Sequence, residues 1–130
     1  MARSRVRLAV AGVAVAAVLA AFPAAAGQKS ETAFAVSLAE KGLWSEALHR
    51  FRTLSQKHPN SPRAWNNLAV ALEAVGRYDE AHEAYQRAAG IEERDLEEIR
   101  LNREAFQDFY SDWTARRARR APPAAVDHAP

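Results

Sequence analysis

The sequence predicts an all-α protein, a short stack of helix hairpins, and three observations carry that prediction. Between residues 29 and 117, apolar side chains recur at i, i+3, i+4 and i+7, the spacing of half-buried helices. Gly42, Gly76 and Gly90 fall where successive stripes stop, as a left-handed residue just past a helix end would. Finally, the stretch KGLWSEALHRFRTL (Lys41 to Leu54) returns as VGRYDEAHEAYQRA (Val75 to Ala88), each matched residue displaced by the same interval.

Each element can be justified in order. The first helix places Ala33, Phe34, Leu38 and Ala39 on one stripe before Gly42. The second carries Trp44, Ala47, Leu48, Phe51 and Leu54. Ser61-Pro62 then supplies an N-cap followed by proline at the first helical position. The third helix follows, with Trp65, Leu68, Ala69 and Leu72. Asp79 and Glu80 put negative charge at the start of the fourth, which suits the helix dipole, and Tyr78, Ala81, Tyr85 and Ala88 form its stripe. Asp95 with Glu98 reads as a capping box. A longer helix follows, with Leu96, Ile99, Phe106, Phe109, Tyr110 and Trp113 along one side and Asn102 and Arg103 interrupting the stripe. From residue 118 to 130, prolines and the loss of apolar period predict a disordered tail.

The pairs at the 34-residue interval are Phe34 with Leu68, Leu38 with Leu72, Gly42 with Gly76, Trp44 with Tyr78, Glu46 with Glu80, Ala47 with Ala81 and Phe51 with Tyr85. Two helices in each such period resembles the tetratricopeptide repeat. Trp65, Leu68, Ala69, Leu72, Gly76, Tyr78, Ala81, Tyr85 and Ala88 occupy that family's signature positions. The first unit has Glu31 in place of the aromatic but ends in Pro59, as the family prefers, and the second has Glu93 where that proline belongs. The resemblance implies a right-handed helical-repeat stack over residues 27–117: repeat one at 28–61, repeat two at 62–95 and a capping helix at 96–117. Ala47 and Ala81 would sit where the helices of a hairpin cross, and the aromatics would fill the wedge between hairpins. A single hairpin cannot bury its apolar face, so copies must stack.

Residues 1–26 read as a secretory signal peptide. Arg3, Arg5 and Arg7 precede an apolar run from Leu8 to Phe22, and Ala24 and Ala26 flank a cleavage point between Ala26 and Gly27. The alternative is an uncleaved anchor, but the run ends at Pro23, short of the roughly 20 apolar residues that span a bilayer. The expectation is a periplasmic or secreted protein without stable membrane insertion. The formal charge of the whole chain is +2. Loss of the three leader arginines leaves 15 basic residues against 16 acidic ones, so composition gives no reason to expect nucleic acid as a partner. Cysteine is absent, which excludes disulfide stapling and a lipidated N-terminal cysteine.

No catalytic constellation appears, and the expectation is a non-enzymatic protein without cofactor or metal. His49, His58, His82 and His128 are scattered, with no i, i+4 partner among them. Glu92, Glu93, Glu97 and Glu98 cluster at a helix start, where they serve the dipole. In similar proteins the first helix of each repeat lines a concave face that holds a peptide or a partner's helix. Carried over, that face comprises Lys29, Thr32, Ala33, Val36, Ala39 and Glu40, then Arg63, Asn66, Asn67, Val70, Glu73 and Ala74. Asn67 stands where family members that clamp a C-terminal carboxylate place an asparagine. Of the further cations such a clamp needs, only Lys29, Arg63 and Arg100 are at hand. The functional expectation is therefore a protein or peptide partner held by Lys29, Arg63, Asn66, Asn67, Val70, Glu73 and Arg100, in an assembly or accessory factor of a cell-envelope complex. The alternative is a structural subunit that forms a homo-oligomer through Tyr110 and Trp113 of the capping helix. The run ARRARR, Ala115 to Arg120, reads as a charged helix end, or less readily as a contact for an anionic surface.

Overall fold

A computed structural model describes residues 26–91 and 96–121, with side chains from Glu31 onward. The leader up to residue 25, Asp95 and the tail beyond residue 121 lie outside that range. Five helices follow one another: α1 (Ala26–Glu40), α2 (Trp44–Lys57), α3 (Pro62–Ala74), α4 (Tyr78–Ile91) and α5 (Glu97–Arg120). Ala26 and Gly27 are the first two residues of α1. Among the described residues there is no strand.

Local chemistry sets the helix ends. At Gly42 the amide of Leu43 bonds the Leu38 carbonyl (2.9 Å) and that of Gly42 bonds the Ala39 carbonyl (2.9 Å), the paired bonds of a Schellman turn. The same pair recurs at the repeat interval, from Arg77 to Leu72 (2.9 Å) and from Gly76 to Glu73 (3.0 Å). Both glycines have positive φ, 77° and 78°. Gly90 does not; it lies inside α4, which runs on to Ile91, so the stop expected there is absent. Ser61 caps α3 as its sequence predicts, its side chain accepting the Ala64 amide at 3.3 Å, with Pro62 in the first turn. Asp95, of the capping box expected at α5, lies outside the described residues; Leu96 stands in the cap position without a side-chain bond, and its carbonyl accepts the amides of Ile99 and Arg100.

Short loops make α1 to α4 alternate in direction, as neighbouring helices joined by tight turns must. Alanines at 0% exposure mark the closest approaches: Ala35 in α1, Ala47 in α2, Ala69 and Ala71 in α3, Ala81 and Ala88 in α4. Phe51 and Tyr85, equivalent at the interval, are buried among them. The stripe expected on α1 is displaced. Thr32, Ala35, Val36, Leu38 and Ala39 are buried, whereas Ala33 and Phe34 are exposed. The reason is position in the stack. Leu68, the equivalent of Phe34, lies on a helix with neighbours on several sides, but α1 packs chiefly on α2. The Arg50 guanidinium covers the Phe34 ring, 5.1 Å from its centroid.

Helix α5 runs antiparallel to α4, because rising positions on one meet falling positions on the other: Phe106 with Tyr85, Tyr110 with His82, Trp113 with Tyr78. It is therefore parallel to α3, on which it also packs. It continues to Arg120, three residues past the expected end of the folded region. Its buried residues Ile99, Asn102 and Phe106 fall one repeat interval after Trp65, Leu68 and Leu72. Helix α5 is thus the first helix of a third unit, in register.

Candidate partner-binding face

Repeat geometry puts equivalent positions of α1, α3 and α5 on one side. Rows at the 34-residue interval cross that side: Ala33, Asn67, Leu101; Val36, Val70, Glu104; Glu40, Ala74, Asp108. The floor is filled. Val36, Asn67 and Val70 are 1%, 3% and 6% exposed, while Ala33, Glu40, Ala74 and Leu101 are exposed.

The candidate residues differ in what they offer. Asn66 is buried, and its side-chain oxygen accepts the Asn102 amide at 3.2 Å. Asn66 therefore spends its side-chain oxygen on holding α5 against α3. Asn102, expected to interrupt the α5 stripe, is part of the buried surface. Its signal in the sequence was the interval itself, which places it opposite α3 like Leu68. Breaking that pair on one side would leave a buried amide without a partner, a loss of about 1–3 kcal/mol. Asn67 is buried to a similar degree, yet its amide makes no hydrogen bond within the described residues. Arg63 is half-buried in the first turn of α3. Arg100 bonds Glu104 at 3.2 Å. Lys29 is in the first turn of α1, and its side chain lies outside the described range.

Glu73 closes the other edge of the face, in the last turn of α3. Burial pushes its carboxyl above the usual carboxylate range, partly offset by the Tyr85 hydroxyl, which donates to it at 3.1 Å. The same contact and deep burial push the Tyr85 phenol well above its ordinary value, burial contributing most. More generally, α1 and α3 are charged against their dipoles. Neither has an acidic residue in its first turn or a basic one in its last. Lys29 and Arg63 stand at their starts, Glu40 and Glu73 at their ends. By contrast, α2, α4 and α5 all begin with acidic residues. Each mismatched charge forgoes about 0.3–1 kcal/mol of helix stability at an exposed end.

Tyr110 and Trp113 turn toward α4. The Tyr110 ring stacks on His82 (4.5 Å, 11°), and its hydroxyl donates to Asp79 at 2.7 Å. Trp113 meets Tyr78 edge-on at 5.3 Å and lies under the Arg117 guanidinium. Arg117 also donates to Asp79, at 2.9 Å. These two donors, the Tyr110 hydroxyl first, hold the Asp79 carboxyl below its usual range. In the sequence Asp79 reads only as a dipole charge. Its role in fastening α5 depends on a residue 31 positions away. The remaining arginines of the run, Arg116, Arg119 and Arg120, are exposed, and Arg116 lies 3.9 Å from Asp112.

Paired helices recurring at a constant interval, with alanines at the crossings and a closing helix in register, define a helical-repeat protein. A family model for the tetratricopeptide repeat matches residues 32–95, and through that stretch the chain belongs to the tetratricopeptide repeat family. The chain is also similar to an uncharacterized protein of Methanocaldococcus jannaschii, 37% identical over 57 residues, which cover 44% of this chain and 66% of the relative. The match thus spans just under two thirds of that relative's length. No solved structure matches. Repeats of this family generally mediate protein–protein interaction. Among the described residues, no helix is long and apolar enough to cross a membrane.

Proposed function

We propose that this chain holds a partner polypeptide on the face formed by α1, α3 and α5, and carries out no chemistry of its own. The observation that carries the reading is Asn67. It is an amide whose donor and acceptor are both unused among the described residues, set at 3% exposure in a row whose neighbours, Ala33 and Leu101, are exposed. A polypeptide backbone offers the complementary pair of groups. With residues 1–26 removed as an export signal, the setting is the periplasm or the exterior, and the role an assembly or accessory factor of an envelope complex.

Site-directed photo-crosslinking in the native envelope tests this. A crosslinker at Ala33 should capture a discrete partner on chains whose N-terminus is Gly27, and one at His49, on the exposed side of α2, should not. The adduct should fade when Arg63 and Asn67 are both changed to Ala. Equal capture from both positions, or capture indifferent to the double substitution, would sink the reading.

A further inference from the structure

We propose that the polypeptide held on this face is basic, and that it presents arginine or lysine side chains to Glu40, Glu73 and Asp108. The proposal rests on the partner-binding reading above and adds the partner's chemistry to it.

Two parallel helices fix where these carboxylates stand. Helices α3 and α5 are tied by the Asn66–Asn102 bond, 3.2 Å long. Glu73 follows Asn66 by two helical turns and Asp108 follows Asn102 by nearly two, so both lie about 10 Å beyond that bond, at the same height. Glu40 takes the corresponding place on α1, in the row it forms with Ala74 and Asp108. The Tyr85 hydroxyl holds Glu73 from α4, at 3.1 Å. None of the three carboxylates meets a cation among the described residues: Arg100 is bound to Glu104, and the exposed Lys41, next to Glu40 in sequence, makes no ion pair there. Like charges so gathered repel one another, and burial makes the charge on Glu73 the costliest.

A second observation, independent of charge, points to a polypeptide as the source of the cations. Among the described residues no buried side-chain nitrogen or oxygen lacks a partner. Asn67 is unbonded at 3% exposure, so the little surface it keeps lies at its amide. Ala74 is two turns further along the same stripe of α3, exposed, and flanked in its row by Glu40 and Asp108. A backbone unit seated on Asn67 therefore brings residues about three positions away in an extended chain opposite the carboxylates. Arginine fits best there, because its planar fork can bind a carboxylate through two bonds. A single metal ion does not fit, since among the described residues no three carboxyl or imidazole groups are placed to share one.

The protein purified from its native envelope, titrated by fluorescence anisotropy with three peptides, tests this. Each peptide has about nine residues, enough when extended to cross three neighbouring helices. All are built on glycine and serine; one carries arginines at alternate positions, one glutamines and one glutamates. The arginine peptide should bind about tenfold more tightly than the glutamine peptide, and the glutamate peptide more weakly still. Glu40→Gln, Glu73→Gln and Asp108→Asn together should abolish that preference. Glu73→Gln keeps an acceptor for Tyr85, and Glu40→Gln with Asp108→Asn, both at exposed positions, should reduce the preference without it. Glu83→Gln, on α4, removes an exposed charge outside the face and should leave it unchanged. Equal affinity for the arginine and glutamine peptides, no binding of the arginine peptide, or a preference that survives the triple substitution overturns the proposal. Dimerisation of the protein alone in sedimentation, lost in the triple variant, would give the face to a second copy's arginine run and overturn it as well. The crosslink from Ala33 separates this failure from that of the partner-binding reading. Capture that persists where the charge preference is absent removes only the basic partner, and absence of capture removes both.

Discussion

Gly42, Gly76 and Gly90 all end an apolar stripe in the sequence, yet only the first two adopt the left-handed conformation. The difference makes opposite forecasts for one kind of substitution. A Cβ on Gly76 would have only the Tyr78 hydroxyl within reach, at 4.0 Å, so the cost of Gly76→Ala is conformational. It should destabilise the fold by about 1–2 kcal/mol. Gly90 is helical with open space around it, and Gly90→Ala should stabilise by about 0.5–1 kcal/mol. Urea denaturation of the two variants checks both signs, and a loss of stability in Gly90→Ala would contradict the assignment of that residue to α4. Phe34 and Asn102 teach the same lesson at the level of side chains. An aromatic expected inside is exposed because, among the described residues, α1 packs chiefly on α2, and an amide expected outside is buried because α3 supplies its partner.

At the scale of elements, α5 is fastened at two points. Phe106 and Asn102 anchor its first half in the core, and the Tyr110–Asp79–Arg117 group holds its second half to the start of α4. The second point is exposed and electrostatic, so it answers to pH. Asp79 titrates lower in the folded state than in the free chain, where a carboxyl of this kind has a pKa of about 4. Its contribution is therefore complete above that unfolded value and is lost as pH falls through the lower folded value. Amide hydrogen exchange should accelerate over residues 107–120 in that acid window while the buried amides of α3 stay protected. Asp79→Asn should show the faster exchange already at neutral pH and remove the acid step. An acid step that survives the substitution would assign it to another group. The tenure of α5 was half legible: its length and aromatic stripe are sequence features, but the Asp79 contact joins residues remote in the chain.

On the scale of the whole molecule, the described stack is closed at both ends. Where α3 has Trp65 and Ala71, α1 has Glu31, paired with Lys57 at 3.3 Å, and Ser37. Where α3 has Ala69, the close-approach site, α5 has the half-buried Arg103, too large for another helix to cross there. The outer side of α5 is polar, with Gln107, Ser111 and Asp112 exposed. Terminal units of a repeat stack need such polar flanks to stop it growing. Sedimentation across a wide concentration range should accordingly find a monomer. A concentration-dependent dimer that disappears in Trp113→Ala would instead favour self-association through α5, since that ring keeps part of its surface exposed.

What the sequence determined alone was the arithmetic of the fold: the 34-residue interval, the helices, the alanines at their crossings and the turns at Gly42 and Gly76. Those features follow from local backbone preference and from a packing pattern that each unit repeats, so one chain's own periodicity displays them. The tertiary structure decided which surfaces are used up and which remain. Asn66 is taken by α5, Tyr110 by Asp79, and Asn67 by neither, because burial and pairing depend on a neighbour's presence, and a linear pattern does not carry that information.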